Sequence, residues 1–281
     1  MIEYLIRLLK TDFRVATLSR GYKRKTQGFV IANDTTNVED IGDEPFQFHK
    51  KFVDIVVSVD ANRKHGIEQL LALGNKPEVI LLDDAFQHRR VKAGFNILLT
   101  PFDHLYSRDI LLPTGNLREP RSGSKRADVI VVTKCPKQLS HKEKENVIDS
   151  LKPKNEQHIF FSVINYSEKM RNSFTEKNLG DLKHETFTLV TGIANSEPLV
   201  RFLRSKGLDF EHMNFKDHHE FSEMELKYLK SKDLIVTTEK DFTRLEPHFE
   251  NSKGLFYLPI DTSLDDAQTF ENLIIKFVSN F

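Results

Sequence analysis

The stretch 79–88, VILLDDAFQH, runs four apolar residues directly into two carboxylates, Asp83 and Asp84. An uninterrupted apolar run of this kind reads as a buried parallel strand. A buried strand that delivers paired acids at its C-terminal end has the shape of a Walker-B element, whose Asp holds Mg²⁺ in P-loop NTPases. The C-terminal edge of a parallel sheet is also where α/β proteins place their ligands. Taken alone, the same residues better suit a strand that simply stops at a polar loop, and the other motifs shift that reading. Other chemistry-bearing residues fall at strand ends or tight turns in the same way. They are Arg20 in SRGY, Asp43 in GDEP, Gln87 and His88 after the acid pair, Arg118 and Glu119 in LREP, His218 in DHH and Lys240 in TTEKD.

The elements that must position these groups follow from periodicity. Residues 1–10 are apolar at Ile2, Leu5, Ile6 and Leu9, the spacing of an amphipathic helix. Strands are expected at 15–18, 28–32, 54–59, 79–82, 95–99, 128–133, 158–166, 186–190, 234–237 and 255–260. Helices are expected at 46–52, 63–73, 142–151, around 226–230 and at 267–278, with another after 195 for which Ser196 is the expected N-cap. Segment 33–40 is polar and reads as a loop, as does PTGNLREP at 113–120. Strands alternating with helices at this spacing imply parallel βαβ units, an α/β fold.

Composition bounds the partners. Acidic and basic residues number 41 each in 281, so no bulk field draws the chain toward nucleic acid or an anionic membrane. Cations cluster locally, at 23–25, 89–90 and 118–126, which suits a phosphorylated small substrate. The single Cys135 excludes an intramolecular disulfide and a zinc cluster, and points to a reducing compartment. Cys135 sits in a strand-end turn and is read as inert. No apolar run approaches the ~18 residues of a membrane span, no signal peptide is expected, and no repeat is visible.

The ordered set SRGY, GDEP, DDAFQHRR, PTGNLREP, DHH and TTEKD resembles the tetraacyldisaccharide 4′-kinase family of lipid A biosynthesis, over nearly the whole chain. The resemblance implies a P-loop kinase at the cytoplasmic face of the bacterial inner membrane. Its implied reaction moves the γ-phosphoryl of ATP to the 4′-hydroxyl of a lipid A disaccharide 1-phosphate, with Mg²⁺. Asp83 and Asp84 would supply the cation site, with Glu119 as a third carboxylate. Asp43 would be the base and His218 its partner, the family pattern of Asp followed by His selecting His218 over His219. Taken alone, Asp43 also suits a helix N-cap and His218 an ordinary loop histidine. Arg20 would help position the phosphorylated disaccharide, or be a solvated turn arginine. Arg118, Gln87 and His88 are further substrate-binding candidates. Lys240 is a possible nucleotide contact, although a structural role is the preferred reading.

The implied architecture is a P-loop NTPase-like parallel-sheet domain, residues 1–94 joined by a closing helix at 262–281, plus a second α/β/α lobe at 103–253. Strands at 95–102 and 254–261 are expected to pair as a hinge between them. One departure from the family stands out. No G-x-x-x-x-G-K-[ST] occurs in the 281 residues, the loop whose amides and Lys cradle phosphates. The expectation drawn from it is a chain truncated before its first helix and inactive as given. The alternative is a shortened relative that binds lipid A precursor or nucleotide without catalysis.

Overall fold

The computed structural model describes residues 1–249 and 254–280. The expected second lobe and closing helix run into 250–253 and Phe281, which lie outside the described residues. In chain order the elements are α1 (Ile2–Leu9), β1 (Val15–Ser19), β2 (Val30–Ile31), α2 (Val38–Ile41), α3 (Asp43–Lys51), β3 (Val56–Val59), α4 (Arg63–Leu71), β4 (Val79–Leu82) and β5 (Ile97–Pro101). Then come β6 (Val129–Thr133), α5 (His141–Leu151), β7 (His158–Tyr166), β8 (Lys169–Arg171), β9 (Glu176–Asn178), β10 (Phe187–Thr191), α6 (Glu197–Ser205) and β11 (Phe210–Asn214). The last are α7 (Glu223–Lys230), β12 (Ile235–Thr238), α8 (Glu239–Leu245), β13 (Leu255–Leu258), β14 (Ile260–Leu264) and α9 (Ala267–Ser279).

Three sheets organise them. The first has the order β2-β3-β1-β4, with β1 parallel to both β3 and β4 and β2 antiparallel at the edge. All of β1 is buried because both its faces are covered. Ala16 and Leu18 pack with Leu70 of α4, while Val15 packs with Leu5 and Leu9 of α1. The second sheet, β14-β7-β6-β5, has a parallel core closed by antiparallel β14. The third, β11-β10-β12-β13-β8-β9, is parallel through its first four strands and ends in the antiparallel β8–β9 hairpin.

Four expectations change. The strands at 95–102 and 254–261 do not pair as a hinge. β5 pairs with β6, β13 pairs with β12 and β8, and β14 takes the far edge of the second sheet from β5. The apolar run of β6 needs a strand on each side. Pro259 lacks the N–H that would continue a ladder, so the chain changes sheets there. The polar segment 33–40 is not all loop, since Asn37 and Asp40 form a capping box that starts α2. Ser196 stands at the N-cap of α6, but its hydroxyl bonds Asn214 Oδ1 at 3.2 Å, and Asn195 Oδ1 accepts from the Glu197 amide instead. Periodicity also missed β8, β9 and β11, which are short and polar.

The first two sheets share one core between α1 and α9, built from Leu5, Leu9, Val129, Val131, Phe160, Phe270 and Ile274. Phe270 is fully buried and meets Tyr4 of α1 and Phe160 of β7 edge to face, at centroid distances of 5.8 and 5.3 Å. Removing a buried Phe costs about 3–5 kcal/mol. Phe270→Ala is therefore expected to lower the unfolding free energy measured by urea titration by that amount. A loss under about 1 kcal/mol, within the range of ordinary substitutions, would mean that Phe270 does not join these sheets.

Candidate active site

The strand-end acids open on a cleft of about 1450 Å³ lined by β4 and β5, the end strands of their sheets, and by α1 and α9. Asp83, Asp84, Gln87, His88 and Arg118 all line it. Asp83 is pushed above the usual carboxylate range by burial, then by the charges of Glu44 and Asp84. Asp84 is exposed and takes a left-handed backbone, φ 44°. Arg118 grips its two oxygens, at 2.8 and 3.4 Å.

Glu119 does not join the acid pair. It accepts from Arg126 at 2.9 Å, and Arg126 also bonds the Phe86 carbonyl and lies over the Phe86 ring. Among the described residues no three acid, His or Cys side chains stand close enough to hold an ion.

A cationic group faces the same acids. Arg63 at the start of α4 is 3% exposed and bonds the carbonyls of Asp60 and Asp83, at 2.5 and 3.1 Å, leaving its Nε without a partner. Its pKa is lowered by burial, and the carboxylates of Asp83 and Asp84 oppose that. His88 is held below the usual imidazole range by burial and then by Arg63, Arg90 and Arg20. Its buried Nε2 has no partner. Arg20 is exposed, yet close enough to act on both Arg63 and His88.

The second cluster forms where α3 meets α8. Gly42 caps the N-terminus of α3 at φ 88°, and a Cβ there would stand 2.8 Å from the Tyr22 carbonyl. Asp43 is thus the first residue of α3 rather than its cap, and its carboxylate is free to bond across to the third sheet. Asp43 Oδ2 meets His218 Nδ1 at 2.7 Å and is also gripped by Arg244 Nη2. Lys240 Nζ reaches His218 Nε2 at 3.0 Å. The Asp43 carboxylate can only accept and the Lys240 ammonium can only donate, so the ring proton sits on Nδ1, facing Asp43 at a contact shorter than the 3.2 Å approach of Arg244 Nη2 to the same nitrogen. Tyr22 packs edge to face on His218, at 5.6 Å between centroids. Lys240 further pairs with Asp217 and Glu44, and Glu44 also lines the cleft of the acid pair.

Arg244 is aimed by Asp241. That carboxylate is fully buried, accepts from the Gly192 amide at 2.8 Å and the Thr238 hydroxyl at 2.7 Å, and contacts Arg244 at 3.4 Å. A Cβ on Gly192 would stand 2.9 Å from it. Burial raises the Asp43 pKa, but the hydrogen bond and charge of Arg244, then of His218, outweigh it and leave the carboxyl below its usual range.

The structure therefore joins Asp43, His218 and Lys240, and separately Asp83, Asp84, Gln87, His88 and Arg118. Sequence reasoning missed Arg244, Asp241 and Arg63. A signal existed for the first two, since Lys240, Asp241 and Arg244 fall at i, i+1 and i+4 on one helix. Arg63 carried none. Cys135 is buried, with its thiol pushed up to about 11, and matches the inert reading.

Parallel βαβ units, an acid pair at a strand end and an ionised carboxylate nearby place this fold in the P-loop NTPase-like α/β class. A family model described as Tetraacyldisaccharide-1-P 4′-kinase matches residues 1–279, and the chain belongs to that family. It is 50% identical to the tetraacyldisaccharide 4′-kinase of Flavobacterium psychrophilum, covering 99% of this chain and 82% of that protein. The namesake enzyme of Bacteroides fragilis is 43% identical, over 98% and 79% of the two chains. A crystal structure of Aquifex aeolicus LpxK, described as an "apo" form in complex with ATP, superposes with a TM-score of 0.74 at 29% identity, covering 99% of this chain and 82% of that one.

A folded-state pKa below the unfolded value of ~3.9 adds stability that is present above that pH and lost as pH falls through the folded value. Asp43 should therefore titrate below the usual range by carboxyl ¹³C NMR. In Arg244→Ala, where burial is opposed by His218 alone, it should titrate at higher pH. An unchanged titration would remove Arg244 as the cause.

Proposed function

We propose that this chain carries the catalytic groups of an ATP-dependent kinase that phosphorylates the 4′-hydroxyl of a tetraacyldisaccharide 1-phosphate, forming lipid IVA. Membership of the kinase family supports the reaction class. The observation that carries the assignment within this chain is Asp43, a half-buried carboxylate held ionised at a helix N-terminus by Arg244 and His218. Phosphoryl transfer through a loose transition state asks mainly for positioning and charge neutralisation. A weak base suffices there, since the hydroxyl proton leaves late.

In this reading Asp43 accepts that proton at its carboxylate while His218, proton on Nδ1, fixes its orientation. Lys240 holds the histidine tautomer and is a positioning residue rather than a nucleotide contact. Arg20, Arg63 and His88 form the cationic face for the sugar phosphate, and Gln87 and Arg118 line the approach. Residues 1–94 with the closing helix contribute Asp43 and the acid pair, and residues 103–253 contribute His218, Lys240 and Arg244.

Asp83 and Asp84 fit Mg²⁺, because a carboxylate pushed up by burial, then by the charges of Glu44 and Asp84, is relieved by a divalent cation. When bound, the ion supplies charge neutralisation on the transferring phosphates. No helix among the described residues is long and apolar enough to cross a membrane. The proposed location is peripheral, on the cytoplasmic face of the inner membrane.

The assay is ATP-dependent phosphorylation of a lipid A disaccharide by the 281-residue chain and by a version extended through its upstream reading frame. Turnover supports the kinase reading. Nucleotide or lipid binding with no turnover in either supports the binding-only alternative. In the active version, Asp43→Asn should lower kcat by ~10²–10⁴ with ATP affinity little changed. An effect confined to KM would make Asp43 a binding residue. Asp84→Ala should abolish Mg²⁺-dependent turnover with the fold intact, and near-normal activity would remove the cation assignment.

A further inference from the structure

The segment between β5 and β6 holds three consecutive exposed aliphatic residues, Ile110, Leu111 and Leu112, at 48, 46 and 58% exposure. Lone exposed apolar side chains are ordinary, but a contiguous run is not. This run sits on a preformed turn. Leu112 N–H donates to Leu117 O at 3.0 Å, Leu117 N–H to Ile110 O at 3.0 Å and Gly115 N–H to Leu111 O at 3.1 Å. Asp109 Oδ1 accepts from the amides of Ile110 and Asn116, at 2.8 and 3.2 Å, and its carbonyl accepts from Arg121 Nε at 2.7 Å. The turn thus satisfies these backbone groups internally, which a segment entering an apolar layer requires.

The exposed charges of the segment have one sign. Between 108 and 125 the exposed ionisable residues are Arg108, Arg118, Arg121 and Lys125, while Asp109 and Glu119 are half-buried and bonded within the segment. Arg118 is balanced by Asp84 and Glu119 by Arg126, which leaves three cations against the single carboxylate of Asp109. The adjoining loop after Asp84 is tied to this segment through Arg126 and Phe86 and adds the exposed Arg89, Arg90 and Lys92, with no acid between 85 and 96.

Exposed aliphatic side chains on a hydrogen-bonded turn, in a segment whose exposed charges are cationic, match the boundary of an anionic lipid layer, where apolar groups enter the acyl region and Arg and Lys meet the headgroups. We propose that the 109–117 turn docks this protein on an anionic lipid surface, with Ile110, Leu111 and Leu112 inserted. The proposal deepens the lipid-kinase reading by naming the surface that meets the bilayer. The turn's Arg118 grips Asp84, so docking would set the acid pair at the lipid boundary.

The test needs neither ATP nor turnover, so its failure is separable from failure of the kinase reading. The 281-residue chain is sedimented with vesicles of phosphatidylcholine, with and without phosphatidylglycerol. Binding is expected to the anionic vesicles, to weaken in high salt, and to fall about tenfold or more in the double variant Leu111→Ser, Leu112→Ser with unfolding temperature unchanged. The chain has no tryptophan, so Leu112→Trp gives a single reporter whose emission should shift blue only with anionic vesicles. Absent vesicle binding, undiminished binding by the double variant, or an unshifted reporter on bound protein would each overturn the proposal. So would a blue shift without vesicles that tracks protein concentration, since a second copy would then cover the patch.

Discussion

The Asp43 carboxylate, shared between Arg244 and His218, is the contact on which the geometry of the site depends. Burying a carboxylate is unfavourable unless it is paired and hydrogen-bonded. Asp43 comes from a helix packed on the first sheet, His218 from the loop after β11 and Arg244 from α8, so satisfying the charge requires α3 and α8 to meet. The neighbouring ion pairs repeat that demand. Lys51 at the far end of α3 bridges Glu3 of α1 and Glu239 of α8, each at 2.8 Å, and Lys240 reaches back to Glu44 at 3.7 Å. Removing one partner of such a buried set leaves an uncompensated charge, so the cluster acts as a unit.

The same contact separates two chemical tasks. Asp43 is drawn below its usual range by a cation and a histidine, while Asp83 is pushed above it by burial and neighbouring acids. Two carboxylates of ordinary intrinsic acidity thereby acquire opposite tendencies, one to stay ionised and one to seek a cation. Environments that push pKa values apart in this way are typical of acid–base and metal roles within one site. Glu44, next to Asp43 in sequence, contacts Lys240 in one cluster and raises Asp83 in the other.

Much of this was legible in the residues. β4 and its acid pair, the amphipathic α1, the βαβ alternation and the Asp43–His218 pairing all followed from local patterns or from the ordered motifs. The misreadings have physical causes. Segment 33–40 looks like loop because Asn and Asp favour turns, yet the same side chains make a capping box. Glu119 looks like a third ligand beside Arg118, but its nearest partner in space is Arg126. Short polar strands such as β8 and β9 lack the alternation that marks a strand, since β8 buries Met170 alone and β9 buries no residue.

What the sequence determined by itself was the inventory of strongly patterned elements: the apolar strands and amphipathic helices, the acids at strand ends, and the family to which the motif order belongs. Those properties are local, because backbone propensity and apolar periodicity act over a few residues. Only the tertiary structure decided which strands share a sheet, that Pro259 divides 254–264 between two of them, and that Arg244 closes on Asp43 from 201 positions away. A charge–charge contact at that separation depends on how helices and sheets pack. Packing is set by the sum of many buried surfaces, and no single stretch of residues encodes it.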